Sequence, residues 1–177
     1  MSFTILSSRQ VYGGRAVGLR VDEVQLANGA TATWEVVTHP GAVTLVPLDS
    51  EGRLWFVRQY RHSVAQEMLE LPAGTLHPGE DPAACAAREL QEEIGMAAGR
   101  LTKLGEFFLA PGYSQEHMHV YLATHLTPSA LPGDADEDIA VEQIAVEDAL
   151  NMAFAGHLPD AKTLAALMLA LPHLPRK

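Results

Sequence analysis

The sequence predicts an α/β sandwich around a mixed sheet, preceded by an N-terminal extension of antiparallel strands. Three observations point there. Strand-like segments fill the first third of the chain and recur after the middle. A well-capped helix interrupts them near residue 82, and two further helical segments come late. The length of 177 residues fits one domain with a short extension, and 47% hydrophobic residues are enough for a substantial core.

In the extension, Val17 to Val24 alternates and is rich in β-branched residues. Asn28-Gly29 is a hairpin turn signal, and Thr31 to Thr38 is its partner strand. Pro40-Gly41 marks a boundary, so residues 1–40 are expected to form the extension and 41–177 the main domain. Ala42 to Leu48 and Leu54 to Tyr60 are apolar strands around a turn at Asp49 to Gly52. The first helix runs from Pro82 to Ile94, with Asp81 as N-cap, Pro82 at the first helical position and Gly95 ending it. Strands follow at Leu104 to Leu109, His117 to His125 and Ile139 to Val146. Helices cover Glu147 to Ala155 and Asp160 to Leu171, the last bounded by Pro159 and Pro172.

Composition excludes several function classes. Twelve basic against twenty-two acidic residues give a formal charge of −10, which argues against broad nucleic-acid binding. An anionic substrate stays compatible if divalent cations lie between it and the carboxylates. The apolar stretch Leu164 to Leu171 is far too short to span a bilayer, and Met1 to Gly14 lacks the basic start and apolar run of a secretory signal. The single cysteine, Cys85, excludes an internal disulfide framework, so a cytoplasmic location is expected.

The chemistry concentrates between Gly74 and Met96. Gly74 is followed after five residues by Glu80, and after seven more by Arg88-Glu89-Leu90-Gln91-Glu92-Glu93-Ile94-Gly95-Met96. On a helix, Glu89, Glu92 and Glu93 share one face, while Ala83, Ala87, Leu90 and Ile94 share another that can pack on a sheet. Three like charges within one turn repel, and a hard divalent cation with oxygen ligands is the usual remedy. A bare Glu-x-x-Glu-Glu would more often be a solvated helix face. The extended pattern reverses that judgement, because its chance occurrence is on the order of 10⁻⁹ per starting position.

This segment resembles the Nudix box at every defined position. The resemblance implies an α/β/α sandwich with a mixed sheet and hydrolysis of a nucleoside diphosphate linked to another moiety. It implies Mg²⁺, with Mn²⁺ as the alternative ion, held by Glu89, Glu92 and Glu93, and a loop braced by Glu80 with Arg88. Three flanking features are similar to the ADP-ribose pyrophosphatase subfamily. Pro111 lies sixteen residues after Gly95, within Ala110-Pro111-Gly112-Tyr113-Ser114-Gln115-Glu116. Upstream stand Val57-Arg58-Gln59-Tyr60-Arg61 and Glu70-Leu71-Pro72-Ala73-Gly74. By that resemblance Ala73 offers a main-chain carbonyl to metal, and Arg58, Arg61, Glu70, Pro111 and Gly112 contact substrate. Catalytic roles fall to Glu92, Glu93 and Arg88, and to Glu137 as the base on the loop from Leu131 to Asp138, with Glu142 and Glu116 as alternates.

The expected reaction is conversion of ADP-ribose or a similar ADP-sugar to AMP and a sugar phosphate. The expected assembly is a homodimer through the N-terminal strands, with Trp34, Glu35 and Arg20 placed by position alone to complete the site. GDP-sugars and diadenosine polyphosphates are the rival substrates; Tyr113, eighteen residues after Gly95, weakens the second. The rival of another class is a catalytically silent nucleotide sensor, which would usually have lost box glutamates. His117 and His119 alternate in a strand and read as ordinary strand residues, and Cys85 reads as a small packing residue.

Overall fold

The computed structural model describes residues 3–133 and 138–175. These form two compact units, one of residues 3–41 with 107–117 and one of residues 42–106 with 118–133 and 138–175.

In the first unit, β1 (Phe3–Gly13), β2 (Gly18–Leu26) and β3 (Thr31–Thr38) make an antiparallel sheet in the order β1-β2-β3. The Asn28-Gly29 hairpin is present. Gly29 takes φ +83°, where a side chain would be strained, and the Leu26 N–H donates to the Ala30 carbonyl at 2.8 Å. Strand β1 was not foreseen. It pairs with β2 through two register shifts, at Ile5/Ser7 and Gln10/Tyr12, and every one of its residues is exposed. Bulges interrupt the period-2 pattern, and a strand without a buried face has no pattern to show. The segment 107–117 joins this unit through Val37, whose N–H donates to the Tyr113 carbonyl at 2.8 Å and whose carbonyl accepts from the Gln115 N–H at 3.1 Å.

The second unit holds two sheets and three helices. Strands β4 (Ala42–Pro47), β5 (Arg53–Arg61), β6 (Gln66–Glu70) and β7 (Ala73–Thr75) precede helix α1 (Pro82–Glu93). Strands β8 (Met96–Phe108), β9 (His117–Pro128) and β10 (Ile139–Ala145) follow, then helices α2 (Val146–Phe154) and α3 (Ala161–Ala170); the last residues of β8 and the first of β9 belong to the first unit. One sheet, β10-β5-β6, is antiparallel. The other, β7-β4-β9-β8, is mixed, with β4 parallel to β9 and antiparallel to β7. All six residues of β4 are buried, and both α1 and α3 pack on this strand, so both its faces are covered. This is the mixed α/β sandwich that the sequence predicts. Strand β8 starts at Met96, eight residues before its expected beginning, because Ala97, Ala98 and Gly99 carry little strand preference of their own.

Helix α1 begins as expected. The Asp81 carboxylate accepts from the Ala83 and Ala84 N–H groups at 2.9 and 3.3 Å, and Gly95 takes φ +68° after the helix end. Its buried stripe differs from the expected one. Cys85, Ala86, Leu90 and Ile94 pack with Val43, Leu45, Val57, Tyr121 and Ala123, whereas Ala83 packs at the edge and Ala87 is half-buried. The helix is rotated because Glu89 and Glu93 are themselves drawn into the packed side.

Candidate active site

The site is built where α1 passes the segment Glu70 to Thr75. Glu89 and Glu93 are 9% and 7% exposed, which rules out the solvated acidic face that a bare acidic pattern would suggest. Buried carboxylates must be compensated, and the compensation here is specific. The Ala73 N–H donates to Glu93 Oε2 at 2.9 Å. The Glu89 carboxylate lies where a Cβ on residue 74 would sit, so only glycine is compatible with Glu89 in this position.

Arg88 ties the remaining carboxylates together. Its Nη1 donates to Glu89 Oε1 and Glu92 Oε2, both at 2.7 Å, and its Nε and Nη2 donate to the two Glu80 oxygens at 3.1 Å each. Nη2 also donates to the Thr75 carbonyl at 3.3 Å. One planar cation thus joins helix α1 to the loop that precedes it, as the resemblance implied for Glu80 and Arg88. The Arg88 hydrogen bonds hold the Glu80 carboxyl well below its ordinary value of 4.5, at about 2. The same carboxylates raise the Arg88 guanidinium further, Glu80 contributing most. Burial, reinforced by Glu89 and Glu80, pushes the Cys85 thiol up to about 12, so Cys85 is an inert packing group at neutral pH.

The other expected residues fall in different surroundings. Arg61 makes a two-pronged ion pair with Glu70, Nε to Oε1 at 2.9 Å and Nη2 to Oε2 at 2.7 Å, and Glu70 is 2% exposed. Arg58 lies on β5 and donates to Glu142 on β10 at 2.5 Å, so Glu142, an alternate for the base, is engaged in an ion pair. Pro111 and Gly112 are exposed in a turn of the first unit, closed by the Tyr113 and Ser114 N–H groups on the Ala110 carbonyl. Glu116 lies in that unit too, where its carbonyl accepts from the Leu109 N–H at 3.1 Å. Trp34 meets Phe3 edge-on at 5.0 Å, and Arg20 pairs with Asp22 at 3.0 Å. His119 Nδ1 stands 3.3 Å from Glu106 Oε2. Glu137 lies outside the described residues. The chain leading to it runs along α1: Leu131 donates its N–H to the Gln91 carbonyl at 3.1 Å, and a Cβ on Gly133 would lie 3.5 Å from the Glu92 carbonyl oxygen.

Sequence reasoning missed Lys162 and Thr163. Lys162 donates to Glu70 Oε2 and lies 3.0 Å from Asp160, and the Thr163 hydroxyl accepts from the Leu71 N–H at 2.8 Å. Asp160 was legible as the N-cap of α3, but nothing local shows that the following residues reach a strand ninety-two positions earlier.

The chain matches the NUDIX domain over residues 38–167 and the nucleoside diphosphate sugar hydrolase N-terminal domain over residues 3–37. It belongs to the Nudix family. Among Nudix relatives, the ADP-ribose pyrophosphatase of Bacillus subtilis (strain 168) is 38% identical over 164 residues, covering 92% of this chain and 89% of the relative. The methanol dehydrogenase activator of Bacillus methanolicus is 36% identical over 164 residues, with coverage of 92% and 89%. A crystal structure of an ADP compounds hydrolase superposes with a TM-score of 0.87 at 27% identity, covering 98% of this chain and 94% of that one. The Nudix box helix is therefore set in the architecture of its family, and the chain is a Nudix hydrolase.

The ionic brace makes a pH prediction. Glu80 has a folded-state pKa depressed from 4.5 to about 2, so its stabilising contribution is present above pH 4.5 and is lost as the pH falls toward 2. The melting temperature of Glu80→Gln should consequently lie below that of the parent at pH 7, with the gap narrowing as the pH drops from 5 to 3. Thermal unfolding followed across that range tests this; a gap independent of pH would show that Glu80 does not titrate against Arg88.

Proposed function

We propose that this Nudix hydrolase cleaves the diphosphate of ADP-ribose or a similar ADP-sugar, with Mg²⁺ or Mn²⁺ as cofactor, releasing AMP and a sugar phosphate. The observation that carries the reading is the box helix: Glu89, Glu92 and Glu93 gathered at one end of α1, next to the Ala73-Gly74 backbone and joined through Arg88. The donor set fits a hard divalent cation. It consists of carboxylate oxygens with a main-chain carbonyl at Ala73, and a guanidinium already spans Glu89 and Glu92 at 2.7 Å on each side. The relative named as an ADP-ribose pyrophosphatase and the neighbour named as an ADP compounds hydrolase support the substrate class.

Glu89, Glu92, Glu93 and the Ala73 carbonyl would hold the ion, which when bound neutralises phosphate charge and lowers the pKa of a ligating water. Arg88 orients Glu89 and Glu92, while Arg61, Arg58 and Glu70, with Pro111 and Gly112, are assigned to the substrate. Glu137 is assigned the proton from the attacking water. It stands four positions after Gly133, which lies beside the Glu92 carbonyl, so the chain gives it a reach of up to about 14 Å. Residues 1–40 are assigned to dimerisation and 41–177 to the hydrolase domain. Phe3, Ile5, Leu6 and Tyr12 are each more than half exposed on the edge strand β1, which suits pairing with a second copy. Among the described residues no helix is long and apolar enough to cross a membrane. A cytoplasmic location is part of this proposal, supported by a single buried cysteine.

Assayed with Mg²⁺ against ADP-ribose, GDP-mannose, diadenosine polyphosphates and nucleoside triphosphates, the enzyme should show its highest kcat/KM on ADP-ribose, with AMP and ribose 5-phosphate as products. A higher value for another compound overturns the substrate assignment and leaves the hydrolase assignment in place. Glu92→Gln should fold normally and lose on the order of 10² or more in kcat at saturating Mg²⁺, because a charged ligand is lost. Glu137→Gln should lower kcat strongly while keeping metal affinity, and should shift or abolish the acidic limb of the pH–rate profile. An unchanged limb moves the base to Glu116, Glu142 or the box. Light scattering at micromolar concentration should report about twice 19.1 kDa, and a fully active monomer would refute the dimer.

A further inference from the structure

Behind the box, four charged side chains form one network around the buried pair Glu70 and Lys162. Glu70, 2% exposed, receives two hydrogen bonds from Arg61 on one side and one from Lys162 on the other. Lys162 is buried too and lies 3.0 Å from Asp160, whose carboxylate caps α3 by accepting from the Thr163 N–H at 2.9 Å and the Thr163 hydroxyl at 2.6 Å. Within these four side chains two positive charges stand against two negative ones, and Glu93 of the box adds its own negative field at Arg61. Removing a partner from such a group leaves an uncompensated buried charge, which is costly. Burial pushes Glu70 up, but Arg61 and Lys162 together outweigh it and keep the carboxylate ionised.

Arg61 differs from the other three in its exposure. Its side chain is 38% exposed, and only two of its five N–H donors go to Glu70. We propose that Lys162 is a positioning residue: it neutralises Glu70 from the buried side, so that the exposed edge of Arg61 keeps a net positive field for a substrate phosphate. Without Lys162, Arg61 faces a carboxylate pair carrying two charges, and its field at the solvent side is cancelled. Lys162 touches no substrate and acts through Glu70 and Arg61. The inference rests on the assignment of a diphosphate substrate made above and deepens it, giving α3 a part in substrate affinity.

Three variants test it. Lys162→Met makes the network net negative by one charge and should raise KM for ADP-ribose roughly five- to tenfold, with a smaller change in kcat. Lys162→Met with Asp160→Asn restores neutrality and keeps the α3 cap, because an asparagine side-chain oxygen also accepts N–H groups. Its KM should return most of the way to the parent value even though its melting temperature stays lower. Asp160→Asn alone makes the network net positive and should hold KM at or below the parent value, which provides a reading even where Lys162→Met does not fold. A structural role alone would make KM follow melting temperature, so the double variant would be no better than the single one. Parental KM in Lys162→Met, no recovery in the double variant, or a raised KM in Asp160→Asn overturns the proposal. If the parent prefers another nucleoside diphosphate derivative, the substrate assignment fails on its own, and the same KM order is measured on that compound.

Discussion

Three carboxylates within one helical turn are the constraint on which the rest of the structure depends. Two like charges about 4 Å apart near a protein surface repel by about 4 kcal/mol. Glu92 and Glu93 also occupy the last turn of α1, at the negative end of the helix dipole, where no basic residue is present to offset them. Local helix preferences therefore run against this arrangement. Arg88 makes it tenable by placing one guanidinium between Glu89 and Glu92 and turning its other edge to Glu80. A lysine could not do this, since a point charge cannot present two parallel edges to three carboxylates. The loop before α1 is held at Glu80 by the same cation that orders the helix face.

That arrangement explains why α1 packs as it does. A helix with a fully solvated acidic face would bury only its apolar stripe. Here Glu89 and Glu93 are pulled toward β7, where the Ala73 N–H and the open space above Gly74 receive them. The apolar side turns accordingly, so Cys85 and Ala86 enter the core beside Leu90 and Ala87 does not. Cys85 is thereby sealed beneath the box, its thiol 3.3 Å from Arg88 Nη2. The core and the site are two sides of one helix, and the polar side has set the rotation.

What could be read from sequence follows the range of the interactions. The start of α1, its end at Gly95, the Asn28-Gly29 hairpin and the face shared by Glu89, Glu92 and Glu93 depend on residues a few positions apart, and all were legible. The Glu80–Arg88 brace spans eight residues and was legible through the family resemblance. The misread apolar stripe depended on which sheet residues the helix meets, and no helical pattern contains that information. The pairing of Arg58 with Glu142 was not legible, because Glu142 lies eighty-four residues downstream on β10. Lys162 was invisible for the same reason. Strand β1 was missed through lack of a buried face, a different cause, since hydrophobic patterning records burial and not strand pairing.

Five consecutive residues connect these parts. Glu70 binds Arg61 and Lys162, and the Leu71 N–H donates to Thr163 of α3. The Pro72 carbonyl accepts from the Leu45 N–H at 2.8 Å and from the Thr44 hydroxyl at 3.3 Å, both in the buried strand β4. The Ala73 N–H holds Glu93, and Gly74 admits Glu89. Successive residues of one short segment thus attach to α3, to the central strand and to the box helix in turn. An extended chain has little slack over five residues. A displacement of α3 at Thr163 is therefore carried to the Ala73 carbonyl and the glutamates unless β4 yields, and β4 is buried on both faces. The segment before the box acts as the common support that sets the distance between Arg61 and the carboxylates, through its one polar side chain, Glu70, and the backbone groups of Leu71, Pro72 and Ala73.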